Sequence, residues 1–130
     1  MKLKGRKIYK GIASGRAIVT KEGISFYGGI DPETGKVVEV GHELEGQIIT
    51  DKILVFPTGK GSTVGSYTMY RMKKNNTAPL AIINKNIDTI VAVGCIISEI
   101  PCVDMIEISK IKNQDQLNVN ATEGTVEILD

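Results

Sequence analysis

The sequence predicts a strand-rich α/β or α+β fold, formed as one domain over residues 1–130. Short runs rich in β-branched residues recur along the chain and end at glycine, proline or asparagine, a pattern typical of strands. Two segments, residues 63–74 and Thr89–Ser98, are of helical length and contain no proline, and they are the predicted helices. Strands that alternate with helices and outnumber them indicate this fold class, and 130 residues suffice for a core.

The strands are predicted from apolar runs and from the residues that end them. Residues 53–56 are four consecutive apolar residues stopped by Pro57, which offers no N–H group to a neighbouring strand. Residues 116–120 and 125–129 are joined across a turn containing Gly124 and predict a closing hairpin. The other predicted strands are residues 2–9 and 15–20, joined by a turn over 11–15, and residues 36–40 and 79–84; residues 46–51 form a short strand or turn, and residues 99–104 are extended.

The two helices are predicted from capping residues and apolar spacing. Ser62 and Thr63 are suitable N-caps for the first helix, and Lys73 and Lys74 suit its C-terminal end. Asp88 is a suitable N-cap for the second helix, whose apolar residues recur at helical spacing. Its β-branched content leaves a strand as the alternative there.

Charge and composition indicate which partners to expect. Sixteen basic residues against fifteen acidic ones give no reason to expect a nucleic acid or an acidic membrane surface as partner. The longest apolar run, residues 90–97, is too short to span a bilayer, and no hydrophobic signal core follows the basic N-terminus. We therefore expect a cytoplasmic protein in which Cys95 and Cys102 stay reduced. Two cysteines and a single histidine predict no metal site within this chain, and we expect His42 to be a surface residue.

The segment from Ile53 to Tyr67 is the main candidate for function. A buried strand leads into a loop with Gly59, Gly61 and Gly65, and the loop opens a helix, which is the arrangement of an anion-binding site. Lys60, Ser62 and Thr63 stand among these glycines; a plain structural turn is the alternative. Neither the phosphate-loop motif nor the dinucleotide motif fits, because the lysine and glycine spacings differ.

A second glycine-containing segment is a candidate wall for the same pocket. Ser25, Gly28 and Gly29 stand beside two aromatic residues, a pairing that a simple connection does not need. The hydroxyl group of Ser25 and the glycine N–H groups are the predicted contacts, since loops often carry functional groups. A mobile surface loop is the alternative.

Three segments together resemble a known family: residues 25–35 (SFYGGIDPETG), 56–66 (FPTGKGSTVGS) and 100–104 (IPCVD). Over nearly its whole length the chain is similar to the small subunits of the aconitase X family, most of all those of its phosphomevalonate-dehydrating members. The resemblance implies the swivelling β/β/α domain that is the last domain of aconitases. It also implies a separate large subunit that carries a [4Fe–4S] cluster, whose iron acts as a Lewis acid on the leaving oxygen.

The same resemblance implies a reaction, the dehydration of (R)-5-phosphomevalonate to trans-anhydromevalonate 5-phosphate in the modified mevalonate pathway to isoprenoids. The proton acceptor of the family falls on Ser62. No arginine follows it, as one does in ordinary aconitases, so Lys60 and the loop N–H groups are the candidate anion contacts. The alternatives are a hydroxyproline as substrate of the same enzyme type, or a non-enzymatic module that binds a phosphate or nucleotide.

Overall fold

The computed structural model describes residues 1–129. Within that range the chain forms ten β-strands, two α-helices and one 3₁₀ turn at Ile108–Lys110. The strands are β1 (Lys2–Lys4), β2 (Arg6–Tyr9), β3 (Ile12–Val19), β4 (Ile30–Asp31), β5 (Lys36–Val37), β6 (Ile53–Phe56), β7 (Ala81–Asn84), β8 (Cys102–Asp104), β9 (Gln116–Asn120) and β10 (Thr125–Leu129); the helices are α1 (Gly65–Lys74) and α2 (Thr89–Ser98).

Eight of these strands form one continuous sheet in the order β1-β10-β9-β3-β6-β7-β8-β2. Strands β3, β6, β7 and β8 run parallel, whereas β2 at one edge and β9, β10 and β1 at the other pair antiparallel. Strand β3 joins the two parts, because residues 12–16 pair with β9 and residues 17–19 pair with β6. The sheet therefore divides along β3 into one half that is parallel except for β2, called the parallel half below, and one antiparallel half.

Two cores separate three layers. Ile53 and Val55 of β6 pack in one core with Leu117 and Val119 of the antiparallel half. The next residue along, Leu54, packs in the other core with side chains from both helices. Since successive strand residues face opposite sides of a sheet, the parallel half is covered by strands on one face and by helices on the other. This β/β/α arrangement confirms the predicted fold.

The bounds of β6, β9, β10 and α2 match the predictions, and the side chain of Asp88 caps α2 as expected. Other predicted bounds are wrong. Residues 12–15 belong to β3 rather than to a turn, the strand at Lys36 ends at Val37, and residues 2–9 are divided at Gly5. Helix α1 begins at Gly65 and its N-cap is Val64, because residues 62–65 first form a turn in which the N–H of Gly65 donates to the carbonyl of Ser62 (2.9 Å).

Membrane-spanning helices were also sought. Across residues 1–129, no helix has both the length and the apolar character needed to cross a bilayer.

Candidate active site

The predicted functional loop (residues 59–65, called the Ser62 loop below) lies after β6 and ends at the first residue of α1. Backbone hydrogen bonds join the start of this loop to the residue just before the predicted second wall. The N–H of Lys60 donates to the carbonyl of Ile24 (2.9 Å), and the N–H of Ile24 donates to the carbonyl of Thr58 (3.2 Å). The two segments that the sequence marked as candidates are thus held side by side.

Gly61 and Ser25 make the closest approach between the two segments. Gly61 has a φ of +88°, and a Cβ atom placed there would overlap the hydroxyl oxygen of Ser25. That hydroxyl donates to the carbonyl of Tyr27 (2.9 Å), which fixes its direction. Only glycine satisfies both the backbone angle and the contact at position 61.

Ser62 is exposed at the tip of the loop. Its Oγ atom accepts a hydrogen bond from the N–H of Val64 (3.1 Å). Within residues 1–129, the N–H groups of Gly61, Ser62 and Thr63 donate no hydrogen bond, and all three residues are exposed, so these groups are candidates for binding an anion. Donation of a hydrogen bond to a hydroxyl oxygen favours its deprotonated form, and so does the adjacent N-terminus of α1. The arrangement suits either an anion contact or a serine base.

Two of the loop glycines have a packing explanation. The N–H of Gly59 donates to Asp88 Oδ1 (3.2 Å), and a Cβ atom there would lie 2.5 Å from both Asp88 and Val91. Gly65 is buried, and a Cβ atom on it would lie 3.2 Å from the side chain of Ile90. Close approach of the loop to α2 accounts for both glycines, and their contact with a substrate stays a prediction.

Lys60 makes an ion pair that the sequence did not predict. Its Nζ atom lies 2.9 Å from Oε2 of Glu39, and the lysine side chain is 47% exposed. Glu39 was predicted to lie within a strand, but the chain leaves β5 at Val37 and turns, with the N–H of Glu39 donating to the carbonyl of Gly29 (3.2 Å). No sequence signal connects two residues 21 positions apart, apart from their opposite charges.

Gly28 and Gly29 differ in their surroundings. Gly28 is exposed, has a φ of +80° and has open space where a Cβ atom would stand. Gly29 is buried, and a Cβ atom there would overlap the carbonyl of Ser25. Gly29 is therefore required by a tight turn, whereas Gly28 borders open space on the surface of the second wall.

His42 is buried, at 6% exposure, so its prediction as a surface residue is wrong. Its Nδ1 atom accepts from the N–H of Leu44 (3.0 Å), which leaves the proton on Nε2. Nε2 then donates to the carbonyl of Gly23 (3.0 Å). Both ring nitrogens are satisfied by backbone groups, and the histidine fixes the chain just before Ser25.

Cys95 and Cys102 are fully buried free thiols. The neighbouring Cys95 thiol, and then burial, raise the pKa of Cys102 well above its usual value. The side chain of Cys102 packs in the core beneath the helices, so it does not line the Ser62 loop. Among residues 1–129 there is also no cluster of three or more His, Cys, Asp or Glu side chains that could hold a metal ion. The residues present therefore do not fit an iron–sulfur cluster as ligands.

Comparison with known proteins places this chain in a family. The sequence model described as "Aconitase X swivel domain" matches residues 2–128. The chain belongs to this family. It is 56% identical to a protein of Thermococcus kodakarensis named phosphomevalonate dehydratase small subunit, covering 100% of this chain and 98% of the relative.

Two solved structures are similar to this swivel domain. The crystal structure of Thermococcus kodakaraensis aconitase X (holo-form) superposes with a TM-score of 0.99 at 55% identity, over 100% of this chain and 99% of that one. A 3-isopropylmalate dehydratase structure from Methanocaldococcus jannaschii has a TM-score of 0.65 at 16% identity, over 92% and 84% of the two chains. The second likeness shows the fold alone, and it agrees with the β/β/α layers described above.

Proposed function

We propose that residues 1–130 form one swivel domain, which is the small subunit of a hydro-lyase. Its substrate is (R)-5-phosphomevalonate, its product is trans-anhydromevalonate 5-phosphate, and its pathway is the modified mevalonate route to isoprenoids. The observation that carries the proposal is the exposed Ser62 hydroxyl, which accepts a backbone hydrogen bond beside three free N–H groups. The name of the relative that is 56% identical over the whole chain supports the choice of substrate.

In this proposal Ser62 acts as the base. Dehydration of a 3-hydroxy acid breaks the C–H bond next to the carboxylate, and the electron pair of that bond forms the new double bond. The deprotonated Oγ of Ser62 takes the proton, while hydroxide leaves from the neighbouring carbon. The Val64 N–H and the N-terminus of α1 stabilise the anionic oxygen before it takes the proton. The free N–H groups of Gly61 and Thr63 are proposed to bind the substrate carboxylate.

The rest of the site is proposed to come from a large subunit that carries a [4Fe–4S] cluster. The composition of helix α2 supports the proposal that a partner subunit covers it. The helix contains no charged residue, and yet it exposes the side chains of Val93, Ile96 and Ile97. A groove of about 190 Å³ between α1 and α2 is lined by Val93 and also by Thr63 of the Ser62 loop. One partner surface can therefore cover the apolar face and reach the loop. The proposed location of the enzyme is the reducing cytoplasm, and the two free thiols are consistent with it.

The experiment is co-expression of this chain with the large subunit, followed by substrate comparison. The complex should dehydrate (R)-5-phosphomevalonate and should neither dehydrate hydroxyprolines nor bind ATP or GTP. Turnover of a hydroxyproline instead would contradict the substrate assignment. A nucleotide bound by the chain alone, with no turnover by the complex, would contradict the assignment as an enzyme subunit.

A further inference from the structure

The ion pair between Lys60 and Glu39 joins three parts of the candidate site. Lys60 belongs to the Ser62 loop, and its stem passes over Gly23, where a Cβ atom would lie 3.5 Å from the lysine Cδ. Glu39 is anchored by its own N–H on the carbonyl of Gly29, and its Oε1 would lie 3.3 Å from a Cβ at position 29. The carboxylate of Glu39 therefore stands between the lysine ammonium and the turn at Gly29.

We infer that Glu39 is a positioning residue that holds the Lys60 ammonium for the phosphate group of the substrate. A lysine side chain has four flexible carbons, and much of the benefit of its charge is lost unless its position is fixed. The ammonium has three N–H donors, and Glu39 occupies one of them at 2.9 Å. Because the lysine side chain is about half exposed, the ammonium keeps donors for an incoming anion while Glu39 fixes its place.

The phosphate, rather than the carboxylate, is the group assigned to Lys60. The carboxylate is attached to the carbon that loses its proton, so it must lie close to Ser62 and the free N–H groups of the loop. The phosphate is at the other end of the substrate. The lysine ammonium lies against Glu39, whose other carboxylate oxygen faces Gly29, and it is therefore the candidate contact for this second anionic group. This inference rests on the proposed function.

A second ion pair serves as a matched control. Arg71 and Glu33 lie 3.5 Å apart, and their side chains are 61% and 70% exposed. This pair joins α1 to a neighbouring loop, as the Lys60 pair joins two loops, but neither of its members belongs to the Ser62 loop. Glu33→Ala removes the same kind of charge from the surface without touching Lys60.

The test is a double-mutant cycle on the complex of this chain with the large subunit. Lys60→Ala should raise KM for (R)-5-phosphomevalonate by about 10- to 100-fold, the effect of losing a hydrogen bond to a charged group, with a smaller change in kcat. Glu39→Ala should raise KM by roughly 2- to 5-fold, Glu39→Gln by less, and Glu33→Ala not at all. In the Lys60→Ala background, Glu39→Ala should have no further effect.

Inorganic phosphate as a competing ligand keeps this test separate from the identity of the substrate. Its dissociation constant, measured by calorimetry on the same complexes, should follow the same pattern across the four variants. Equal effects of Glu39→Ala with and without Lys60, or tighter phosphate binding by Glu39→Ala, would overturn the inference. If the wild-type complex does not dehydrate phosphomevalonate, the proposed function fails, while the phosphate cycle still decides the role of Glu39.

Discussion

Replacing Ser62 by alanine separates catalysis from stability. The Ser62 hydroxyl is exposed and accepts one hydrogen bond, from the N–H of Val64 at 3.1 Å. Water can replace that bond, so Ser62→Ala should cost at most about 1 kcal/mol of folding free energy. A lost general base lowers the rate by about 10² to 10⁴, which corresponds to about 2.7 to 5.4 kcal/mol of transition-state stabilisation. The catalytic loss should therefore exceed the loss in stability several-fold.

Ser66 provides the opposite control four residues later. Its hydroxyl is buried and donates to the carbonyl of Ile90 at 2.6 Å, across the contact between α1 and α2. Ser66→Ala should lower the melting temperature, since a buried hydrogen bond is worth about 1 kcal/mol. It should leave kcat nearly unchanged, because the hydroxyl already has a partner within the fold.

The assay is kcat, KM and melting temperature for the complexes that contain Ser62→Ala, Ser62→Gly and Ser66→Ala. Iron content and the elution volume of each complex show whether the cluster and the assembly are intact. If Ser62→Ala keeps more than about a tenth of the wild-type kcat, the loss falls short of that expected for a base. Ser62 would then serve only to fix the turn before α1.

Three further substitutions test neighbouring parts of the structure. Gly28→Ala and Gly46→Ala introduce the same backbone strain, because both glycines have a positive φ and open space where a Cβ atom would stand. Only Gly28→Ala should impair turnover or assembly, and equal effects of the two substitutions would show that Gly28 has no functional role. Because the pKa of Cys102 is raised in the folded state, stability should fall as the pH rises above about 8.5, and Cys102→Ala should reduce this dependence in melting curves. Ile96→Asp should weaken binding of the large subunit in gel filtration without changing the fold, and unchanged binding would show that α2 faces solvent in the complex.

The sequence predicted those elements whose signals are local. Four apolar residues and a proline define β6, and Asp88 caps α2 with bonds to the N–H groups of Ile90 (3.1 Å) and Val91 (3.4 Å). The prediction was wrong where a glycine is required by a tertiary contact and not by a turn. Gly15 indicated a turn, yet it lies within β3, where a Cβ atom would stand 2.9 Å from the side chain of Leu80.

Long-range polar contacts were the other failure. The burial of His42 depends on a carbonyl 19 residues away, and the Lys60 pair depends on a turn that follows β5. Neither contact has a periodic or compositional signature, because both depend on how separate loops are placed in space. The Ser62 loop could be found, since its glycines, lysine and serine follow one another within a short segment.

The most direct test of the central claim, that this chain supplies the base to an active site shared with a partner, is a titration. Purified chain is added to a fixed amount of the cluster-bearing large subunit, and loss of water from (R)-5-phosphomevalonate is followed. Neither subunit alone should dehydrate the substrate, and activity should rise to a plateau when the two subunits are present in equal molar amounts. The Ser62→Ala chain should bind the large subunit and lower the activity by displacing the wild-type chain. A large subunit that is equally active alone, or full activity with Ser62→Ala chain, would contradict the account.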